Sequence, residues 1–528
     1  MASTHALLTL VGLLLGLAAI GLSVPVRAET KVPPPQAREA DMLVGAYYFP
    51  GWSTEDRWYC IKANPGVQHP LLGYYREGEP EVADWHIKWA LEHGVSFFAF
   101  DYYIRDGAEA LEAALDGFLK SDYVDRFRFC LNWCNHAAAE TQNRAELEAF
   151  FDVALEKYLR HPSYLRIQDK PVVWILSGYS FVKTLGPEAA KQAFGDMEQR
   201  MVDAGLPGMY LVFCEGEILS EQAVKDSFAA GVDAFCLYNY PYAGSGVNGP
   251  GKYAEATYEH LIEQGRGLWQ HWRNITGGRF WPTVMPGWDR RPWLKDGDLI
   301  RTGSTPELFK QSLTWARDHV NGDRVVMIEA WNEWGEGSIL EPSEEYQFAY
   351  LDQVRQAFCP GSTPPKGVSP ATSGVTAPCF PMELPAVSRW GFDHSVEGWY
   401  TMGASAPEHR LGAISATANS GDPQLYSPVT YLACDRFARL RLRMRLTPPV
   451  GATSVAMSSA QLFWVTTEHQ WGEAQSVTFP VKLDGRWQTY EIGLRACPGW
   501  RGLTERLRLD PCDVEGTRVD VDCVELLP

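Results

Sequence analysis

A chain of 528 residues is too long for one ordinary core, so it holds either several domains or one large barrel with appendages. Hydrophobic residues at 45% against 21% charged describe a globular protein, and 20 Trp within a 12% aromatic share point to flat apolar ligands. A formal charge of −18 disfavours nucleic acid and anionic membrane surfaces as partners, since both need a positive footprint.

Residues 1–28 read as a signal peptide, with an apolar stretch from Ala6 to Val24 and a small-residue site ending at Ala28. Only His5 precedes the apolar stretch, so an uncleaved anchor is the alternative; no later segment is long and apolar enough to span a membrane. The expected location is secreted, periplasmic or at the cell surface, with no other membrane partner, and a monomer is expected. Residues 40–358 then alternate short apolar runs with longer amphipathic stretches, the pattern of parallel strands joined by crossover helices. Eight runs are predicted as strands: Leu43 to Phe49, Val95 to Tyr103, Phe127 to Trp133, Pro171 to Leu176, Met209 to Cys214, Val232 to Tyr238, Trp281 to Pro286 and Arg324 to Trp331. A typical helix between them is "EPEVADWHIKWALEHG", apolar at intervals of three and four and stopping at Gly94. Eight such pairs fit a (β/α)8 barrel; a doubly wound sheet is the alternative, but no Gly-rich phosphate turn follows the first strand.

Residues 359–383 form a Pro/Ser/Thr/Gly-rich linker that cannot bury a core of its own. Residues 384–528 change pattern: "FARLRLRMRLTPP" alternates apolar and basic residues at period two, and several similar runs follow, predicting a smaller all-β sandwich. Eleven cysteines in an exported chain permit disulfides, with Cys359 and Cys379 placed to staple the linker and Cys434, Cys497, Cys512 and Cys523 able to make two bridges. Cys130, Cys214 and Cys236 lie in apolar runs and read as buried small hydrophobes. No spacing resembles a zinc site, and neither metal nor cofactor is expected.

Barrel chemistry sits at the carboxyl ends of the strands. Read there, the chain offers Tyr47, Tyr48 and Trp52 after the first strand, Asp101 and Tyr102 after the second, and "NWCNH" with Trp133, Asn135 and His136 after the third. Glu215 and Glu217 follow the fifth, Tyr238 the sixth, Trp288 and Asp289 with Trp293 the seventh, and "WNEWGEG" with Trp331 and Asn332 the eighth. Aromatic faces for stacking, mixed with carboxylates and amides for hydroxyl groups, suit a glycan. Glu333 and Glu336 stand out: Gly335 and Gly337 flank Glu336, which favours a tight loop over a helix, and two close carboxyls beside Trp331 and Trp334 would titrate apart, as cleavage of a glycosidic bond requires. Glu329 either lines the interior as a third, orienting carboxylate or pairs with a basic residue. Arg105, Arg290 and Arg291 either meet anionic substituents or pair with nearby Asp.

"GAYYFPGW", "FCLNWCNH", "PTVMPGWDRRP" and above all "AWNEWGEGSILEP" resemble the WbsX-type branch of glycoside hydrolase family 99, over about residues 40 to 358. The resemblance implies a (β/α)8 barrel acting on α-linked glycans, best known as endo-α-mannosidase. It also implies that Glu333 deprotonates the sugar's own 2-hydroxyl, giving a 1,2-anhydro intermediate and net retention, while Glu336 serves as acid and then base. Trp133 and Asn135 fall on a sugar-binding position, and Gly335 stands where the mannosidases carry a bulkier residue. The tail loosely resembles the appendages of secreted polysaccharide-degrading enzymes. It is either a carbohydrate-binding module, with Trp399, Trp464 and Trp471 as stacking candidates, or a structural appendage with those Trp in its core. Asp510, Asp513 and Asp520 are candidate calcium ligands or simply strand ends. Two rival functions remain. One is a WbsX-type glycosyltransferase of surface polysaccharide synthesis, and the other a glycan-binding barrel without turnover.

Overall fold

A computed structural model of the protein describes residues 31–528 apart from 106–107, 136–142, 217, 248, 252, 321, 450 and 452–456. The expected signal peptide, His136 and Glu217 therefore lie outside the described residues, as does the side chain of Arg105. All eight predicted strands are present: β1 (Leu43–Tyr48), β2 (Phe97–Arg105), β3 (Arg128–Cys134), β4 (Lys170–Leu176), β5 (Tyr210–Glu215), β6 (Ala234–Leu237), β7 (Phe280–Trp281 continuing as Thr283–Val284) and β8 (Val325–Ile328). Every neighbouring pair is parallel.

Closure happens at β7. Pro282 has no N–H to give a ladder and splits the strand. The half before it pairs with β6, Phe280 opposite Phe235, and the half after it pairs with β8, Thr283 opposite Met327. With β8 paired to β1, Leu43 opposite Val325, the ring of eight is complete and the architecture is a (β/α)8 barrel. The helix expected after the first strand runs Pro80–Glu92. Proline sits in its first turn, where a missing N–H costs nothing, and the inner face buries Trp85, Ile87 and Trp89. Among the described residues no helix is long and apolar enough to cross a membrane.

The predicted spacer 359–383 is strapped to the barrel rather than free. Trp89 Nε1 donates to Val368 O at 2.8 Å, Phe380 N to Tyr74 O at 2.8 Å, and Val375 and Met382 join the barrel core. Its polar composition meant only that it has no core of its own; it uses the barrel's. The expected disulfides are absent: all eleven cysteines are free thiols. The sulfur of Cys359 packs on Gly94 and that of Cys379 donates to Leu72 O, which holds the two apart, while Cys434, Cys497 and Cys512 turn to three different carbonyls.

Beyond the strap, a six-stranded and a five-stranded antiparallel sheet face each other as the predicted sandwich. Strand Arg439–Thr447 shows why it folds so. Leu440, Leu442, Met444 and Leu446 enter the core, and the intervening arginines pair across the outer face with Glu491, Glu525, Asp522 and Asp520. Trp399 and Trp464 lie in that core, Trp464 donating Nε1 to Gly499 O at 2.9 Å, so neither is available for sugar stacking; Trp471 is exposed. The calcium candidates also separate. Asp510 is held by Arg508 on one sheet, Asp520 by Arg445 and Arg518 on the other, and Asp513 by Ser458.

The sandwich docks on the loop that follows β7. A buried Lys295–Glu505 ion pair at 2.9 Å, His469 against Asp296 at 2.8 Å and Gln470 Nε2 donating to Trp293 O at 2.7 Å make the joint. Replacing the core indole by Trp464→Ala should lower stability by about 3–5 kcal/mol through the cavity and the lost hydrogen bond. Urea denaturation would measure this, and a change below about 1 kcal/mol would contradict the core placement.

Candidate active site

Parallel strands alternate their side chains between the barrel lumen and the surrounding helices, and this decides which strand-end residues meet. In β2, Asp101 points to the lumen, whereas Tyr102 packs outside on Phe150 and Tyr158 and donates to Glu109. The neighbour of Asp101 in register is Asn132 of β3, whose Nδ2 donates to Asp101 Oδ1 at 2.8 Å. From β6, the Tyr238 hydroxyl reaches Asp101 Oδ2 at 2.6 Å and Glu333 Oε1 at 3.3 Å. Tyr47, one layer below, supports the Tyr238 ring at 4.7 Å and donates to Leu237 O.

After β8 the chain forms a small hairpin, β9 (Asn332–Glu333) against β10 (Ser338–Ile339), with Trp334 to Gly337 as its turn. The expected tight loop is therefore present, and Glu333 and Glu336 stand at its two ends with Glu336 N donating to Glu333 O at 3.1 Å. Both glycines answer to close approach of the loop after β7. A Cβ on Gly335 would lie 1.9 Å from Trp293 Cε2, and Gly337 takes φ +66° with the Asp289 backbone N 2.7 Å from where its Cβ would be. Asp289 N also donates to Glu336 O at 2.6 Å, so the two loops are laced together.

The electrostatics are unusual. Glu329, Glu333, Glu336 and Asp101 are all nearly or fully buried. Burial holds Glu333 well above the usual carboxylate range, and Glu336, Asp101 and Glu329 push it further the same way. Burial also lifts Glu336 to about 7, against the pull of Arg290, whose Nε is 3.3 Å from Glu336 Oε1. Asp101 is raised by burial to about 7, offset in part by the hydrogen bonds from Tyr238 and Asn132. Glu329 is raised likewise, with Ser338 Oγ donating to its Oε2 at 2.7 Å, so it is a further interior carboxyl with no ion pair among the described residues. One oxygen each of Glu333 and Glu336, and the Trp288 indole N–H, have no hydrogen-bond partner among the described residues. Unsatisfied buried polar atoms in one place mark where a polar ligand is expected.

Of the sequence candidates, Asp101, Tyr238, Trp288, Asp289, Arg290, Trp293 and Glu329 gather around the two glutamates and Tyr47 supports Tyr238; the rest do not. Tyr48 bonds His86, Trp133 stacks on Phe150 at 5.2 Å and Trp331 packs on Phe98 and His86, all on the helix side of the barrel wall. Trp52 stacks on Trp58 at 4.3 Å and donates Nε1 to Asn332 O. Asn332 is occupied on both sides by the Phe49 backbone and by Glu77, which makes it a lock between the ends of β1 and β8. Glu215 accepts from Tyr179 N at 2.8 Å, and Asn135 is fully buried at the end of β3. Arg291 is taken by Asp289 at 2.5 Å. Residues passed over in favour of these include Tyr103, which Cys134, Asp101 and Glu333 all influence, and Asn132, whereas Arg290, expected to meet an anionic substituent or pair with Asp, pairs with Asp298 and Glu336. Period-two alternation counted from Asp101 would have found Tyr103, whereas Asn132 follows from its register with Asp101 across the two strands.

A family model described as glycosyltransferase WbsX matches residues 64–354. Two curated relatives, each described as uncharacterized protein WxcX and found in two strains of Xanthomonas campestris pv. campestris, are 25% identical over 352 residues. That match covers 62% of this chain and 48% of each relative, so the chain spans about half the length of the curated relatives it matches. Among solved structures, a glycoside hydrolase-like protein matches with TM-score 0.47 and 18% identity over 62% of this chain and 96% of its own. A family 99 endo-alpha-mannosidase from Bacteriodes thetaiotaomicron matches with TM-score 0.43 and 19% identity over 59% and 94%. A family 29 carbohydrate binding module matches with TM-score 0.19 and 11% identity over 26% and 86%.

The raised carboxyls fix a sign. Glu336 holds its proton in the folded chain up to about pH 7 but loses it near 4.3 when unfolded, so stability falls as pH rises between those values. Glu336→Gln should therefore gain thermal stability over the parent at pH 8 and little at pH 4; an equal gain at both, by calorimetry, would rule this out.

Proposed function

The chain belongs to the family described as glycosyltransferase WbsX, and from that premise and the chemistry of its site we propose that it is a glycoside hydrolase acting on an α-linked glycan with retention of configuration. One observation carries the reading: two buried glutamates on a single hairpin, in unequal surroundings, each with an oxygen that has no hydrogen-bond partner among the described residues. Glu336, near 7 and facing Arg290, is suited to give a proton and take one back at neutral pH. Glu333 faces carboxyls and the Tyr238 hydroxyl with no cation beside it among the described residues, so its ionised form is a strong base.

The steps balance as follows. Glu333 takes the proton of the sugar's 2-hydroxyl while O2 bonds to C1; the bond from C1 to the leaving oxygen breaks, and Glu336 protonates that oxygen. Water then attacks C1, Glu336 takes its proton, the C1–O2 bond of the anhydro sugar opens, and Glu333 returns a proton to O2. Two inversions give net retention. The α-linked class and these roles follow from the family resemblance of the "NEWGEG" segment, and export, read from the apolar leader, belongs to the same proposal.

Transfer from a nucleotide sugar is the reading the family's description favours. The site's charge opposes it. A diphosphate placed near Asp101, Glu329, Glu333 and Glu336 would meet carboxyls, while Arg290 and Arg291 are engaged by Glu336, Asp298 and Asp289. Among the described residues no group of three His, Cys, Asp or Glu side chains is placed to hold a metal that could bridge the two.

Glu333→Gln and Glu336→Gln should each lower kcat by about 10²–10⁴-fold on a polysaccharide found by screening for product mass; wild-type rates in either variant would remove the assignment. The first-formed anomer should be retained by NMR, and an inverted one would exclude the anhydro-sugar route. Because Glu336 must start protonated and Glu333 ionised, the kcat/KM profile should be bell-shaped, with Glu336 setting one limb near pH 7. Arg290→Gln removes the group that lowers the Glu336 pKa, so this limb should move upward; a limb unmoved would mean that another acid sets it.

A further inference from the structure

The barrel rim does not end at the catalytic hairpin. A cavity of about 490 Å3 beside it is lined by Trp288, Asp289, Trp334 and Tyr346, and a second of about 420 Å3 lies between barrel and sandwich, lined by Asn64, Tyr253, Asp296, Glu468 and His469. Pro65 and Arg291 line both, so the two adjoin. On the sandwich side the chain runs on from His469 to Gln470, which bonds the Trp293 carbonyl, and to Trp471. Trp471 meets the Tyr426 ring edge-on at 5.9 Å, and Tyr426 stacks on Tyr400, its cross-strand partner, at 4.9 Å and 5°.

What lies along this line is the informative part. Four aromatic side chains of the described residues are exposed: Tyr253 (49%), Tyr346 (37%), Tyr400 (39%) and Trp471 (38%). Tyr346 lines the rim cavity, Tyr253 the junction cavity, and Trp471 and Tyr400 flank Tyr426 on the sandwich. Aromatic rings left in water along one path, among amides, carboxylates and a histidine, have the surface that the apolar faces and hydroxyl edges of linked sugars require. An apolar protein partner would want the charges cleared from such a path, and here Asp296, Glu468 and Arg291 remain among the rings.

We propose that this line is an extended glycan-binding track, on which Tyr346, Tyr253, Trp471 and Tyr400 hold a polysaccharide running outward from Glu333 and Glu336 across the joint between barrel and sandwich. The inference rests on the glycosidase reading of the site and adds to it that the substrate is a long polymer, part of whose binding is done by the C-terminal sandwich.

The test uses the full chain carrying Glu336→Gln, run in native gels cast with yeast α-mannan, dextran, pullulan or barley β-glucan. At least one polymer should retard it. Tyr253→Ala and Trp471→Ala, both at exposed positions, should each weaken that retardation about tenfold, while Trp471→Phe keeps it. Unchanged melting temperatures would show that the variants are folded. Retardation by none of the four polymers, or retardation equal in all variants, overturns the track. Product release by the wild-type chain is scored separately: retardation that depends on Trp471 without any product would sink the hydrolase reading and leave the binding track standing.

Discussion

Four carboxyl groups crowded into the top of a barrel, faced among the described residues by the guanidinium of Arg290, are the constraint around which the functional half of this molecule is built. Left in an apolar lumen such a set would repel itself apart, and the surroundings answer each charge in turn. Tyr238 and Asn132 share Asp101, Ser338 holds Glu329, and Arg290 steadies Glu336 while itself leaning on Asp298. The residual strain is expressed as retained protons, and groups that keep their protons to neutral pH are the ones able to exchange them there.

The hairpin that carries the pair depends on the loop after β7 as much as on its own sequence. Trp293 occupies the space above Gly335, and the Asp289 backbone presses on Gly337. The two glycines thus record an approach of neighbouring backbone, and the Glu336 carbonyl bonded to Asp289 N shows how tightly the two loops are registered.

The eight strands were legible because parallel strands buried on both faces are continuous apolar runs, and their ends came within a few residues of the prediction. The same continuity hides which face a side chain takes. "FAFDYY" and "FCLNWC" do not alternate in polarity, so Tyr102 and Trp133 looked as good as Tyr103 and Asn132, and only the pleat told them apart. Aromatic content misled in a second way. Tyr48, Trp52 and Trp331 are where bulky rings seal the barrel against its helices, a demand of packing that composition does not separate from ligand binding. The cysteines and the polar strap depended on partners distant in sequence, Gly94, Leu72 and Tyr74, which no local pattern names.

The joint through Lys295 has a bearing on how divisible the chain is. The ammonium of Lys295 is almost completely enclosed, with Glu505 of the sandwich as its carboxylate and the Pro292 carbonyl as its second acceptor. Cut away the sandwich, and Lys295 loses its carboxylate partner and part of its cover in the same loop that carries Arg290 and Trp293. The strap of residues 359–383 looks like a hinge between independent modules. The charge balance says otherwise: barrel and sandwich were shaped as one body, and a barrel expressed alone would be a different protein at its most sensitive loop, even with every barrel residue kept.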